Sequence, residues 1–456
     1  MTSPLEDPTY RRLFTAQVIA LVGTGLSTVA LALLAYDLAG GDAGAVLGTA
    51  LALKMVAYVG IAPVIGGFAH RLPRRAVLIG LDLGRAVVAA CLPFATEVWH
   101  IYVLIFLLNA FSAGFTPTFQ ATIPDILPDE RRYTRALSLS RLAYDLENLL
   151  SPSLAAAALI FLSYNALFAV NAMAFVISAA LVYSVCLPSP KAHDREDGVL
   201  KNIVYGLNIY LKTPRLRGLL ALSVAASAAG AMAIVNTVVY VRETLGGGET
   251  AAALAYAAYG AGSMIAALLL PRFLDKRPDR PFMTAGGLLL AIGLGAGLTA
   301  PGFIGLAAIW FVLGVGGSLI QTPAGRLLKR SGYDADRPAL YAAQFALSHA
   351  GWLAAYLLAG VIGATYGLSA AFAVLATVAL AASALALLLW PRNDPVALEH
   401  RHEAMEHEHL HVHDEHHQHE HEGWEGPEPH RHPHRHAPLQ HSHAFVIDRH
   451  HTIWPR

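Results

Sequence analysis

Along most of the chain, apolar residues do not alternate with polar ones at helix or strand spacing. They run on for about twenty positions at a time, broken by short polar segments. Runs of that length match the hydrocarbon thickness of a bilayer, whereas a surface helix of a soluble domain keeps one polar face. Such segments lie near 12 to 37, 45 to 69, 76 to 94, 98 to 119, 136 to 161, 165 to 187, 216 to 241, 250 to 271, 282 to 300, 303 to 324, 339 to 363 and 367 to 391, which predicts twelve transmembrane helices.

The polar connections carry the orientation. Arg11 and Arg12 precede the first helix, and Arg71, Arg74 and Arg75 follow the second. Arg131, Arg132 and Arg135 follow the fourth, and Lys191, Arg195, Lys201, Lys212, Arg215 and Arg217 follow the sixth. Arg272, Lys276, Arg277 and Arg280 come after the eighth, and Arg326, Lys329, Arg330 and Arg337 after the tenth. The alternate connections hold almost nothing basic beyond Arg242. Lys and Arg in short loops stay on the cytoplasmic side, so both termini are expected there. The polar stretch from Met1 to Tyr10 lacks a cleavage site after the first apolar run, so no removable signal peptide is expected.

Composition agrees. Of 456 residues 55% are hydrophobic and only 14% charged, against about a quarter charged in a soluble globular fold. Lys plus Arg and Asp plus Glu balance at 32 each, which gives no footprint for a nucleic-acid partner. Cys91 and Cys186 each lie in an apolar run without CxxC spacing, so they are expected to be membrane-buried packing residues rather than metal or disulfide sites.

The two halves repeat weakly. Arg71 and Arg74 fall on Arg277 and Arg280 at the offset that also places Thr116-Pro117 on Thr322-Pro323, and Ala136-Leu137 falls on Ala339-Leu340 at nearly the same one. Parallel halves with a site between them are the build of a secondary transporter working by alternating access, not of an enzyme. No Walker A sequence is present. The expected division is a six-helix half over 1–187, a cytoplasmic linker over 188–215, a second six-helix half over 216–391 and a tail over 392–456.

The stretch Gly66-Gly67-Phe68-Ala69-His70-Arg71-Leu72-Pro73-Arg74-Arg75 resembles the signature loop of the major facilitator superfamily, Gly-x-Leu-Ala-Asp-Arg-x-Gly-Arg-Lys, with His70 in place of Asp and Pro73 in place of Gly. The resemblance implies the all-α facilitator fold, with Arg71, Arg74 and Arg75 in a gating loop. Asp82 and Arg85, i,i+3 just beyond it, read as a cytoplasmic gate pair.

After Trp390-Pro391 the composition changes. Eighteen of the 22 histidines lie here, among twelve acidic residues and six arginines. Such a segment cannot build an apolar core and is expected to be disordered when unliganded. Imidazole suits nickel, cobalt, copper and zinc, so the tail is expected to bind metal. The ligand candidates are His400, His402, His407, His409, His411, His413, His416, His417, His419, His421, His430, His432, His434, His436, His441 and His443. A helical conformation would place His407 with His411, and His409 with His413, at i,i+4; an extended one would wrap an ion instead. A facilitator body with such a tail is similar to the NreB-type nickel-resistance exporters. The stretch from Pro124 to Arg131 is also similar to siderophore- and drug-exporting facilitators.

A charge near the bilayer centre costs about 2.5 to 3.5 kcal/mol, so each ionisable residue in a span needs a partner or a purpose. The fifth helix is richest. Arg141 and Asp145, i,i+4, read as a pair; Tyr144, Glu147 and Ser151 make one polar face, and Asp145 with Asn148 another. Lys54 lies about 13 Å along its helix, too deep to reach the surface, and is expected to neutralise Asp145, Glu147 or Asp37. His349, and the i,i+4 pair Met232 and Asn236, complete the list of path and coupling candidates.

The expectation is therefore a proton-driven exporter of Ni2+ or Co2+ from the cytoplasm, conferring metal resistance, monomeric in a bacterial inner membrane. Metal is cargo or tail ligand and there is no cofactor. The alternative is an exporter of a siderophore or drug-like molecule with a metal-sensing tail.

Overall fold

A computed structural model describes residues 3–39, 43–68, 72–188, 199–334, 336–394, 397–402, 405–411, 430–436, 439–447 and 454. Arg71 and His70 of the signature loop, and His413, His416, His417, His419 and His421 of the tail, lie outside the described residues.

Thirteen α-helices are described: α1 Pro8–Ala39, α2 Ala43–Phe68, α3 Arg74–Cys91, α4 Val98–Ile126, α5 Glu130–Leu159, α6 Tyr164–Tyr183, α7 Val199–Lys212, α8 Pro214–Val239, α9 Glu249–Leu274, α10 Asp279–Ala296, α11 Phe303–Lys329, α12 Arg337–Tyr366 and α13 Leu368–Leu389. Among the described residues eleven helices are long and apolar enough to cross a membrane. The expected twelfth is α5. Its 30 residues are length enough, but it carries Arg141, Asp145 and Glu147 along with four charges in its first two turns. It packs against α1, α9 and α11. The short α7 falls in the expected linker and lies across α2 and α12.

Local sequence sets the breaks. The Asp129 carboxylate accepts from the Arg132 amide at 2.8 Å and starts α5. Pro214 opens α8 at a position where a missing amide hydrogen is harmless. Gly367, at φ +87, turns α12 into α13 in a conformation that suits a residue without a side chain.

Each half keeps its own dry interior. One apolar cluster gathers Leu222, Leu290, Trp310, Leu313, Phe372 and Leu375 from the second half. Two smaller ones lie in the first, around Leu26, Ile101 and Phe168 and around Tyr10, Leu78 and Phe119. Small residues let helices close up: a Cβ on Gly262 would stand 2.1 Å from the Phe311 carbonyl, and one on Gly314 2.0 Å from that of Tyr259, so α9 and α11 touch backbone to backbone. Cys91, at the end of α3, and Cys186, three residues beyond α6, are free thiols exposed on the protein surface.

Where the halves meet, α2 and α4 pack on α12 through Ala62, Ala113, Phe345 and Ala346, and the contacts at the arginine-rich end are ionic. Asp125 of α4 pairs with Arg74 of α3 and, across the seam, with Arg337 of α12. In the second half Asp279 of α10 lies 3.2 Å from Arg326 of α11, which reaches across to Glu130 of α5 at 2.7 Å. The two clusters occupy corresponding places in the repeat with the signs exchanged. Lys329 adds a 2.9 Å bond to the Pro128 carbonyl, and the Tyr133 and Tyr341 hydroxyls meet at 2.5 Å. Arg75 instead binds the Tyr183 carbonyl within the first half. Asp82 and Arg85 also stay within it: Asp82, fully buried, accepts from Arg85 and from Ser178 at 2.8 Å, and Arg85 lies between the rings of Phe115 and Phe175. Of the expected gating residues, Arg74 is thus the described one that belongs to the seam.

Beyond α13, where composition predicts disorder, four strands are described. They are β1 Ala397–His402, β2 Met405–His411, β3 His430–His436 and β4 Leu439–Ala444, with β1 antiparallel to β4 and β2 to β3. The near-alternation of histidine with other residues has the period of a strand, not of a helix, and so β2 does not take up the i,i+4 arrangement.

Asp125→Asn should remove the carboxylate that two buried arginines share, leaving Arg337 only its exposed partner, and cost about 3–5 kcal/mol, whereas Asp334→Asn, which removes that 70% exposed partner of Arg337, should cost under about 1 kcal/mol. Thermal unfolding of the purified protein in detergent separates the two, and equal losses would contradict this reading of the seam.

Candidate functional site

Between the halves lies a cavity of about 680 Å³. Helix α5 supplies its most polar wall. Ser140, Tyr144, Glu147 and Ser151 recur at three- and four-residue steps, which places them on one stripe, and all four line the cavity. Asp145 stands off that stripe, buried, and its carboxylate is 2.9 Å from Arg141. The Arg141 guanidinium does more than close this pair. It donates to Ser263 of α9 at 3.0 Å and to Gln321 of α11 at 2.5 Å, and so ties the first half to the second in mid-bundle. Intrahelical spacing could reveal the Asp145 contact, but nothing in the sequence marks Ser263 or Gln321 as partners.

Glu147 is held against α1. A Cβ on Gly25 would stand 1.8 Å from the Ser151 hydroxyl and 3.2 Å from the Glu147 carboxylate, so only glycine lets α5 bring this carboxylate so near α1. Lys54 of α2 lines the same cavity but makes no ion pair with it within 4.0 Å. The other two candidates for Lys54 are occupied elsewhere: Asp145 by Arg141, and Asp37 by the Tyr164 hydroxyl at 2.6 Å. The ammonium also lies 5.6 Å from the centre of the Tyr58 ring.

Tyr58 continues the chain of contacts into the second half. Its ring meets those of Phe345 at 4.9 Å and His349 at 4.7 Å, both from α12. His349 Nδ1 is 2.7 Å from the Phe345 carbonyl. A carbonyl only accepts, so Nδ1 carries the hydrogen and the neutral ring keeps its Nε2 lone pair. Trp352, Gln344, Gln120 and Gln17 complete the wall. Sequence reading passed over Tyr58 and Trp352 because an aromatic ring within an apolar span looks like packing.

Met232 and Asn236 are elsewhere. Both are buried away from the cavity; the Asn236 amide donates to Met232 sulfur at 3.4 Å and to the Ala359 carbonyl at 3.2 Å, which fastens α8 to α12. The backbone of Asn148 lies in α5, and its side chain is outside the described set. Among the described residues, no group of three or more His, Cys, Asp or Glu is placed to hold a metal ion.

The cavity is therefore broad, aromatic and amide-lined, with Lys54 and Glu147 both on its wall, and with Arg85 and Arg141 each backed by a carboxylate of its own helix. Its arginine-rich end is shut by the ionic seam.

The chain resembles known proteins along its length. An uncharacterized MFS-type transporter, YfiS of Bacillus subtilis strain 168, is 24% identical over 339 residues, covering 70% of this chain and 79% of that protein. Macrolide efflux protein A of Streptococcus pyogenes is 24% identical over 197 residues, 42% of this chain, which spans about half (47%) of that protein's length. Among solved structures, the human organic anion transporter MFSD10 (TETRAN) superposes with a TM-score of 0.69 at 12% identity, over 83% of this chain and 98% of that one. The transporter FucP in its outward conformation gives 0.66 at 13% identity, over 84% and 98%. The model of the Major Facilitator Superfamily matches residues 13–239 and again 220–439. Those two matches together span most of the chain, and the chain belongs to the Major Facilitator Superfamily.

Proposed function

We propose that this transporter exports amphipathic organic molecules, by alternating access and at the expense of a proton gradient. The observation that carries the reading is the make-up of the cavity: about 680 Å³ of mixed aromatic and amide wall, on which Lys54 and Glu147 both lie. That space suits a drug-sized cargo. It suits a bare divalent ion poorly, because the ammonium opposes a second cation at the carboxylate that would bind it. The efflux relatives point the same way. In this reading α5 is the twelfth span, both termini and the arginine-rich end are cytoplasmic by the positive-inside rule, and the protein works as a monomer in a bacterial inner membrane.

Coupling falls to Glu147. A carboxylate on the cavity wall, exposed in turn to either side, can exchange a proton while Lys54 supplies the balancing charge. Ionised, it attracts the ammonium or a cationic group of the cargo; protonated, it releases it.

Export of Ni2+ or Co2+ is the second reading, favoured by the eighteen histidines of the tail. Glu147 and the Nε2 of His349 are the cavity donors such an ion would use. The tail would raise metal concentration at the cytoplasmic mouth.

Glu147→Gln should abolish uphill export of a macrolide in proteoliposomes with an imposed pH gradient, yet keep exchange of labelled for unlabelled cargo, which needs no net proton movement. Loss of both would assign Glu147 to cargo binding, and loss of neither would end its coupling role. In an expressing strain, tolerance to macrolides should rise while tolerance to nickel and cobalt stays flat. Raised nickel tolerance with lowered cell nickel, weakened but not lost on deletion of residues 392–456, would select the second reading instead.

A further inference from the structure

Four glutamines line the cavity: Gln17 of α1, Gln120 of α4, Gln321 of α11 and Gln344 of α12. Each lies six to nine residues from the arginine-rich end of its helix, which is about 9–14 Å at 1.5 Å per residue. Two come from each half, at one level inward of the ionic seam, and together they floor the cavity.

The protein has already turned three of them. Gln321 Oε1 accepts from Arg141 Nη1 at 2.5 Å. A guanidinium only donates, so the atom facing it is the oxygen and the amide nitrogen points elsewhere. Gln344 Oε1 accepts from the buried Tyr210 hydroxyl of α7, while its nitrogen donates one hydrogen to Ser223 at 3.4 Å and keeps the other. Gln17 Oε1 accepts from the Ser140 hydroxyl at 3.3 Å. In each the carbonyl oxygen is taken up by the protein, and the amide hydrogens are the groups with capacity to spare.

Farther along α1 and α5 the wall has the opposite sense. Thr24 donates to the Ala20 carbonyl at 2.9 Å, Thr28 to that of Thr24 at 3.0 Å and Ser151 to that of Glu147 at 2.5 Å. Their hydrogens are spent, so these hydroxyls offer oxygen lone pairs, and with the Glu147 carboxylate they make this wall rich in acceptors. The floor carries no net charge to offer an anion, because Asp145 stands 2.9 Å from Arg141. A carboxylate buried there would lack a counter-charge, whereas a neutral oxygen needs none.

We propose that the cargo carries a neutral carbonyl, ester or ether oxygen at one end, that the amide hydrogens of Gln321 and Gln344 bind this end at the floor, and that its opposite end, cationic or hydrogen-bond donating, lies along the α1–α5 wall. The proposal rests on the organic-cargo reading and narrows it to a class and an orientation. A buried donor left without an acceptor costs free energy, so the floor selects against amphiphiles of like charge and size that lack such an oxygen.

Equilibrium dialysis of two lipophilic monocations against the purified full chain in detergent tests it. Tetramethylrhodamine ethyl ester carries an ester and a ring ether oxygen; tetraphenylphosphonium has no hydrogen-bonding atom. Gln321→Met combined with Gln344→Met removes the donors with little change of volume, and should weaken binding of the ester about tenfold while tetraphenylphosphonium stays within about twofold. Gln344→Met alone, should the double variant not fold, should weaken the ester about threefold with the same selectivity. Equal changes for both cations, no change for either, or binding of tetraphenylphosphonium alone by the unaltered chain would overturn the amide floor and leave the organic-cargo reading standing. An unaltered chain that binds neither cation would overturn both.

Discussion

An ion held away from water must be matched by another, and that constraint arranges this molecule. The interiors of the two halves are apolar and hold few charges, and those few are paired within one helix or between neighbours, as Asp82 is with Arg85. The seam is different. There the charges reach from one half to the other: Asp125 to Arg337, Arg326 to Glu130. A dry interior resists deformation, while an ionic seam can exchange its partners for water when the halves rock apart. Rigidity within halves and reversibility between them are thus set by where the charged residues were placed.

The same constraint explains how far the sequence could be read. Apolar runs separated by clustered arginines give the helices and their order, because length and hydropathy are local properties. For α5 they give less, since the residues that make it useful, Arg141, Asp145 and Glu147, also make it too polar for an apolar span. Spacing put Tyr144, Glu147 and Ser151 on one face of α5 and Asp145 with Asn148 on another, but only the packing shows that the first of these lines the cavity. The surroundings of Lys54 did not follow, because three carboxylates lay within reach in sequence terms and only the packing of the helices puts Glu147 on the cavity wall that Lys54 also lines. The cross-half contacts of Arg141 were equally silent. Ser263 and Gln321 are unremarkable polar residues until two helices from the other half present them.

The tail was legible in chemistry rather than in shape. Its histidines led to an expectation of metal binding, but composition could not say that Phe445, Val446, Ile447 and Trp454, four apolar residues at the end of a polar segment, pack onto the body beside the buried Arg215.

The exchanged signs of the two ionic clusters bear on how such a duplicated chain stays asymmetric. Two copies of the first half would bring Glu130 of one against Asp125 of the other, and two copies of the second would bring Arg337 against Arg326, so like would repel like on closing. Only unlike halves fit. The same few charged positions that join the halves thus also select against pairing of either half with its own copy.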